Sequence, residues 1–402
     1  MMSGNIKLLV AALVTGVMLT GCGSDDDSDS ANSTKVSFDA KPLIDNVADN
    51  IIVATYTDLN AQATDLKAAI GAMNTGGITA AELDAAQAAW KATRAPWESS
   101  EGFLFGPVDA QGIDPAMDSW PLSQTDLDTF LAAGNTSPAD VRNANDNVRG
   151  FHALEYLLFG DGVASNDQAE TDIDADELAY LVSLATVLQE NTQALEDGWN
   201  TQYDPNDSTS GPYVDQVKNP GADSVYASQG AVVEELINGI LGIVDEVGNG
   251  KITEPFGASA ADADTTLVES QYSWNSLTDF HNNIQSVLNV YTGVRGFDPA
   301  SETVAAADNG LYSFVQTHDA ALADRLYDEI VAAYDAIGLI DQDGDPATTD
   351  IANPATQMPF REAIGDNAAR VSIQDAIDAL ATVQATLQDD VLPLVAETEF
   401  AE

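Results

Sequence analysis

The stretch Val148 to Tyr156 reads VRGFHALEY and holds one of only three histidines in the 402-residue chain. His152 precedes Glu155 by three positions, so the two side chains share one face of any helix they occupy. An imidazole beside a carboxylate can hold a metal ion, exchange a proton, or form a buried hydrogen bond. Val141, Val148, Phe151, Leu158 and Phe159 mark the inward side of a helix expected over 138–159. Val148, His152, Glu155 and Phe159 step along that side, which places both polar groups toward the core. A carboxylate there needs a cation or donors, because burying an unpaired charge costs far more than burying an amide. Gly150 costs a helix roughly 0.5–1 kcal/mol relative to alanine, a loss that makes sense where another backbone or a ligand approaches closely.

A helix expected over 80–104 brings further acids. Leu83, Trp90, Trp97 and Leu104 repeat every seven residues as a core seam. Arg94 and Glu101 follow the two tryptophans by four, on the shoulder of that seam, and Glu98 is placed to pair with Arg94. Pro96 is expected to kink this helix. The candidate ligands are therefore His152, Glu155, Glu101 and Glu98, with Arg94 orienting a carboxylate or binding an anion. This donor set suits iron, zinc, manganese or calcium better than copper(I). Carboxylate-bridged iron bundles use paired Glu-x-x-His motifs; here the order is reversed and occurs once.

A zinc peptidase is the competing reading, with Glu155 as general base toward a zinc-activated water. The helix signature H-x-x-E-H would require histidine at 156, where Tyr156 stands. A third reading is an interaction module in which His152 and Glu155 only fix helix register. His281, beside Leu277, Phe280, Ile284, Val287 and Tyr291, reads as a core or interface histidine, and His318 as a helix boundary. Asp341 to Pro346, DQDGDP, reads as an acidic turn, because Pro346 and Ala352 stand where a calcium loop needs Gly and Glu. No Gly-rich phosphate loop, G-x-S-x-G elbow or Cys/His cluster is present.

The elements that must position these groups are helical almost throughout, with no sustained alternation to mark a sheet. Thr79 to Glu82 has capping-box form, Ser137-Pro138 caps a helix start, and Ser276 to Asp279 opens another. Main helices are expected at 40–73, 80–104, 138–159, 173–201, 225–248, 276–294, 300–336 (broken near Thr317) and 369–397. Segments 105–136, 202–223, 249–265 and 338–360 read as loops. A composition break at 248–257, GNGKITEPFG, suggests a boundary between bundles at 39–248 and 249–402. The expected fold is all-α, with two helical-bundle halves and a cleft between them.

Residues 1–21 have the basic start, short apolar core and small residues of a secretory signal. Leu19-Thr20-Gly21-Cys22 resembles a bacterial lipoprotein signal, which makes Cys22 the lipidation site and 22–38 a flexible acidic tether. Gly23 gives no inner-membrane retention signal, so an outer-membrane anchor, with the body in the periplasm or at the cell surface, is expected. With 65 acidic and 14 basic residues, the net charge of −51 repels nucleic acid and anionic lipid. The membrane contact expected is the lipid anchor alone.

Gly150, His152 and Glu155 match G-x-H-x-x-E, and around it stand AAWKATRAPWESSEGFLFGP (88–107), DSWP (118–121), GKITEP (250–255) and SWNSLTDFHNNIQSVLNVYTG (273–293). In this order the blocks make the chain resemble the imelysin family of bacterial envelope proteins, from about 40 to about 397. The resemblance implies two helical halves with the motif facing the cleft, and His152 and Glu155 as the motif pair, with Glu98 and Glu101 as neighbours. It also implies a role that has been described both as peptidase and as iron-associated. The expected cofactor is a divalent metal, iron or zinc, and a partner in envelope iron transport is an expectation of the same kind.

Overall fold

A computed structural model describes residues 35–73, 76–340 and 358–402. The signal sequence, Cys22, most of the acidic tether and the DQDGDP segment lie outside the described residues. The all-α expectation holds. The only sheet among the described residues is a parallel pair, β1 (Val36–Phe38) and β2 (Thr398–Phe400). The last residues of the expected tether are thus a strand, because Phe38 packs its ring on Phe314 at 5.4 Å and on Phe400 at 6.5 Å.

The helices used below are α1 (41–72), α2 (Ala80–Glu98), α3 (Ile113–Asp118), α4 (Gly150–Phe159), α5 (Ala175–Asn200), α6 (229–256), α7 (Ser276–Thr292), α8 (Leu311–His318), α9 (Ala320–Gly338) and α10 (369–395). Residues 35–402 form one compact unit. Helix α1 packs between α5 and α2, α2 lies against α4 and α7, and α7 continues onto α6 and α9. The seam expected on α2 is its buried stripe, with Leu83, Trp90 and Trp97 no more than 2% exposed. The capping box at Thr79 and Glu82 forms as expected, and Ser137 is capped by Asp140 in the same way.

Three departures shape the site. The helix expected over 138–159 is broken into Pro138–Arg142, a short turn at Asp146–Val148, and α4. The helix expected over 80–104 stops at Glu98, and Glu101 begins a separate turn, Glu101–Phe103. There Gly102 donates its N–H to Ser286 Oγ at 3.0 Å, and a Cβ would crowd that hydroxyl. Segments expected as loops are partly helical. Residues 105–136 contain α3 and Gln124–Ala132, and the break expected at 248–257 runs through α6, which continues as a π-helical stretch, Glu246–Thr253. Gly248, Asn249 and Gly250 lower intrinsic helix preference, but the side chain of Lys251 is only 7% exposed and ties the segment to the core.

Candidate metal centre

His152 and Glu155 sit on α4 with no exposed surface. His152 Nδ1 lies 2.9 Å from Glu155 Oε2. The other carboxylate oxygen, Glu155 Oε1, accepts from the amides of Tyr272 (3.0 Å) and Ser273 (2.8 Å) and from Ser273 Oγ (2.8 Å). Both Glu155 oxygens are therefore committed. A carboxylate held this way keeps the proton on Nδ1 and frees Nε2, the arrangement that orients metal-binding histidines. His152 Nε2 is buried without a hydrogen-bond partner. It faces Asp118 Oδ1 at 3.2 Å and Glu269 Oε1 at 3.6 Å. Asp118, His152 and Glu269 can bring one donor atom each within 4.8 Å of one another.

The structure gathers all four sequence candidates into one buried cluster, in which His152 faces Asp118 and Glu269 and Glu155 holds the other ring nitrogen. Glu98 and Glu101 lie in the same cluster but hold Lys251, whose Nζ is 3.3 and 2.9 Å from them. Their other shared partner is Asn283, whose Nδ2 donates to Glu98 Oε2 at 2.6 Å and Glu101 Oε2 at 3.0 Å. Asp118 and Glu269 were not candidates. Asp118 ends a six-residue helix and Glu269 lies in a loop, so neither shows a hydrophobic period. The signals available were the DSWP block and the polar run leading into α7.

Gly150 has φ 79°, and a Cβ there would collide with the carbonyl of Met117. This close approach sets α4 directly against the residue before Asp118, so the glycine fixes the distance between His152 and its facing carboxylate. Gly150→Ala is expected to cost about 2–5 kcal/mol, from positive φ and the clash together. A fall in the urea unfolding midpoint checks this, and an unchanged midpoint would refute the close-approach role. The loop before α7 is strained as well, with Ser270 at φ 51° and Trp274 at φ 61°. Such strain persists where surroundings over-determine it. Here Ser270 Oγ donates to Asp279 Oδ2 at 2.5 Å, and the amides beside it hold Glu155.

Arg94 has no exposed surface and organises the cluster. It contacts Glu98 and Asp118 closely, and reaches Glu269 at 3.0 Å and Asp279 at 3.1 Å. Arg94, expected to orient a carboxylate or bind an anion, thus faces four carboxylates. Trp97 Nε1 donates to the far oxygen of Asp118 at 2.6 Å. The Trp120 ring lies edge-on to His152 at 4.7 Å.

Six carboxylates (Glu98, Glu101, Asp118, Glu155, Glu269, Asp279) face two permanent cations and one imidazole, all at side-chain exposures of 8% or less. Burial pushes Glu98 up to about 8, against the pull of Arg94 and Lys251. Burial and its neighbour Glu98 hold Glu101 well above the carboxylate range. Glu269 behaves oppositely: burial is outweighed by Lys251, His152 and Arg94, which keep it ionised. Asp118 is also held low, burial being overcome by Arg94 and His152. For His152 burial alone favours the neutral ring, but Asp118, Glu155 and Glu269 outweigh it and raise the imidazole well above its ordinary range. The two carboxylates facing Nε2 are thus charged, while Glu98 and Glu101 favour protons.

His281 and His318 lie apart from this cluster, as expected. Burial pulls His281 down to about 4, with its ring 3.5 Å from that of Tyr334. His318 ends α8, with Nε2 2.8 Å from Thr398 Oγ1.

The family profile described as imelysin matches residues 52–387. Iron-regulated protein A of Synechococcus elongatus is 32% identical over 353 residues, covering 88% of this chain and 86% of that protein. A crystal structure described as an iron-regulated protein A precursor, from Parabacteroides distasonis, superposes with a TM-score of 0.67 at 28% identity, covering 87% of this chain and 95% of that one. An imelysin-like protein from Psychrobacter arcticum shares the fold, with a TM-score of 0.64 at 16% identity over 90% of this chain and 98% of the other.

Proposed function

This chain belongs to the imelysin family, and from that premise we propose that it binds a divalent metal ion, iron foremost, through His152, Asp118 and Glu269 and serves iron handling at the cell envelope. The observation that carries this reading is His152 Nε2: a buried nitrogen with no hydrogen-bond partner, aimed at two ionised carboxylates. The residues fit such an ion. Neighbouring donors around a metal with bonds of about 2.1 Å lie roughly 3.0–3.4 Å apart, close to the 3.2 and 3.6 Å found here. One nitrogen and two carboxylates form a mixed nitrogen and oxygen donor set acceptable to iron(II), manganese or zinc. The relatives named for iron regulation favour iron among these metals.

The envelope location rests on the signal-like start and Leu19 to Cys22. Lipidation at Cys22 would leave the folded body tethered to the outer membrane and able to pass its ion to a transport partner. The peptidase alternative needs a carboxylate oxygen free to take a proton from water. Glu155 is poorly placed for that role, since one oxygen accepts three hydrogen bonds and the other holds His152. A pair that only fixed helix register would have no reason to aim Nε2 at two further carboxylates.

Metal and proton compete for the same nitrogen, which gives the test. His152 is raised in the fold, so its proton stabilises the unliganded chain below the ordinary imidazole range. That contribution is lost as pH rises through the raised value. Binding must release this proton, so apparent affinity climbs by up to about tenfold per pH unit across neutral pH. Thermal unfolding with and without manganese(II) between pH 5.5 and 8.5 should show a metal-induced stabilisation that grows with pH. A stabilisation that is constant or shrinks would remove His152 Nε2 from the ligand set.

A further inference from the structure

We infer that the cluster is built with two cation seats and that Lys251 is the tethered occupant of the second. This rests on the metal-binding reading of the first seat. Lys251 Nζ lies 2.9 Å from Glu101 Oε2, 3.3 Å from Glu98 Oε2 and 3.1 Å from Glu269 Oε2. Three carboxylates from three separate segments thus surround it, as oxygen ligands surround a hard cation. Glu98, Glu101 and Asp118 form a second group whose donor atoms fall within 4.8 Å of one another, and Asp118 also belongs to the group containing His152. Glu269 is divided in the same way: Oε1 faces His152 and Arg94, and Oε2 faces Lys251. Glu269 thus reaches both seats, and a carboxylate shared between neighbouring cations is the arrangement by which helical bundles hold paired ions.

A second feature marks the seat as more than a group of acids. Asn283 has no exposed surface, its Nδ2 lies on Glu98 and Glu101, and its Oδ1 has no partner. The unpartnered oxygen belongs to the same buried amide that holds both carboxylates of the seat. Lys251 reaches the position from the π-helical stretch of α6, where one extra residue per turn re-aims a side chain. An ammonium brings one charge on a fixed stem and accepts no bridging ligand. It therefore limits the centre to a single exchangeable ion and suits it to reversible loading. Lys251 is thereby a specificity-determining residue, which sets stoichiometry without touching the first ion.

The test is a manganese(II) titration of the purified chain, reading bound metal per chain and the electron paramagnetic resonance spectrum. The wild type should take one ion with an isolated-ion spectrum. Lys251→Met should take two, with the exchange-coupled spectrum of neighbouring ions. A folded Lys251→Met that still takes one ion would overturn the inference. A wild type that takes none would instead overturn the metal-binding reading on which it rests. If Lys251→Met does not fold, even with manganese present, Glu101→Gln decides. With separate seats it changes first-ion affinity by less than about tenfold, because Glu101 touches only Lys251 and Asn283. A loss of about 100-fold or more would make Glu101 a ligand of the first ion and sink the two-seat arrangement.

Discussion

Replacing His152 by alanine should weaken metal binding by at least about 100-fold while leaving the helical content intact. Among the described residues this side chain is the one nitrogen ligand facing the two ionised carboxylates, so its removal leaves Asp118 and Glu269 to hold an ion against Arg94, which already engages both. A site reduced from three donors to two such competed-for oxygens has little to offer a divalent ion. Glu155→Gln provides the contrast. Glu155 acts through the imidazole, and outer partners of metal ligands typically change affinity by about 10–100-fold. The expected order in calorimetry or equilibrium dialysis is therefore a larger loss for His152→Ala than for Glu155→Gln. Equal affinity in wild type and His152→Ala would exclude the histidine as a ligand. The reverse order would return Glu155 to the inner set.

The largest effect on stability is expected at Arg94. Its guanidinium faces Glu98, Asp118, Glu269 and Asp279 with no exposed surface, and it lies over the ring of Phe151 at 4.9 Å. Removing one partner from a buried ionic group strands the others, at about 3–5 kcal/mol. Arg94→Met keeps much of the volume but removes the cation, so a loss at the upper end of that range is expected in urea unfolding. Arg94→Lys should recover only part of it, because a point charge cannot serve four carboxylates from a planar fork. A loss below about 1 kcal/mol for Arg94→Met would mean that protons, rather than the guanidinium, neutralise these acids. Bound manganese(II) should restore part of the deficit, as any ligand of the folded state does.

Some of this was legible before any coordinates. His152 and Glu155 follow the inward stripe of a strongly apolar helix, and that period survives even though α4 begins twelve residues later than expected. The tryptophan seam of α2 likewise placed Arg94 and Glu101 on the shoulder of a core, with Glu98 beside Arg94. What the pattern could not convey was depth: a residue on the shoulder of a helix and one with no exposed surface share the same spacing. Asp118 and Glu269 escaped because they come from a six-residue helix and an irregular loop, whose positions are set by tertiary contacts such as the Gly150–Met117 approach. Lys251 was hidden for another reason. The Gly-Asn-Gly run before it has the composition of a linker, and only the three carboxylates waiting in the fold make a helix there worthwhile. Local preference gave way to a tertiary ionic contact at the place where the chemistry is concentrated.

The most direct test is an anomalous difference map, collected at the iron edge from crystals of the chain loaded with iron(II). The prediction is a single strong peak bonded to His152 Nε2 and to the carboxylates of Asp118 and Glu269, with Glu155 still hydrogen-bonded to Nδ1. No peak in this cluster, or a peak bonded to Glu155 with Nε2 left free, would contradict it.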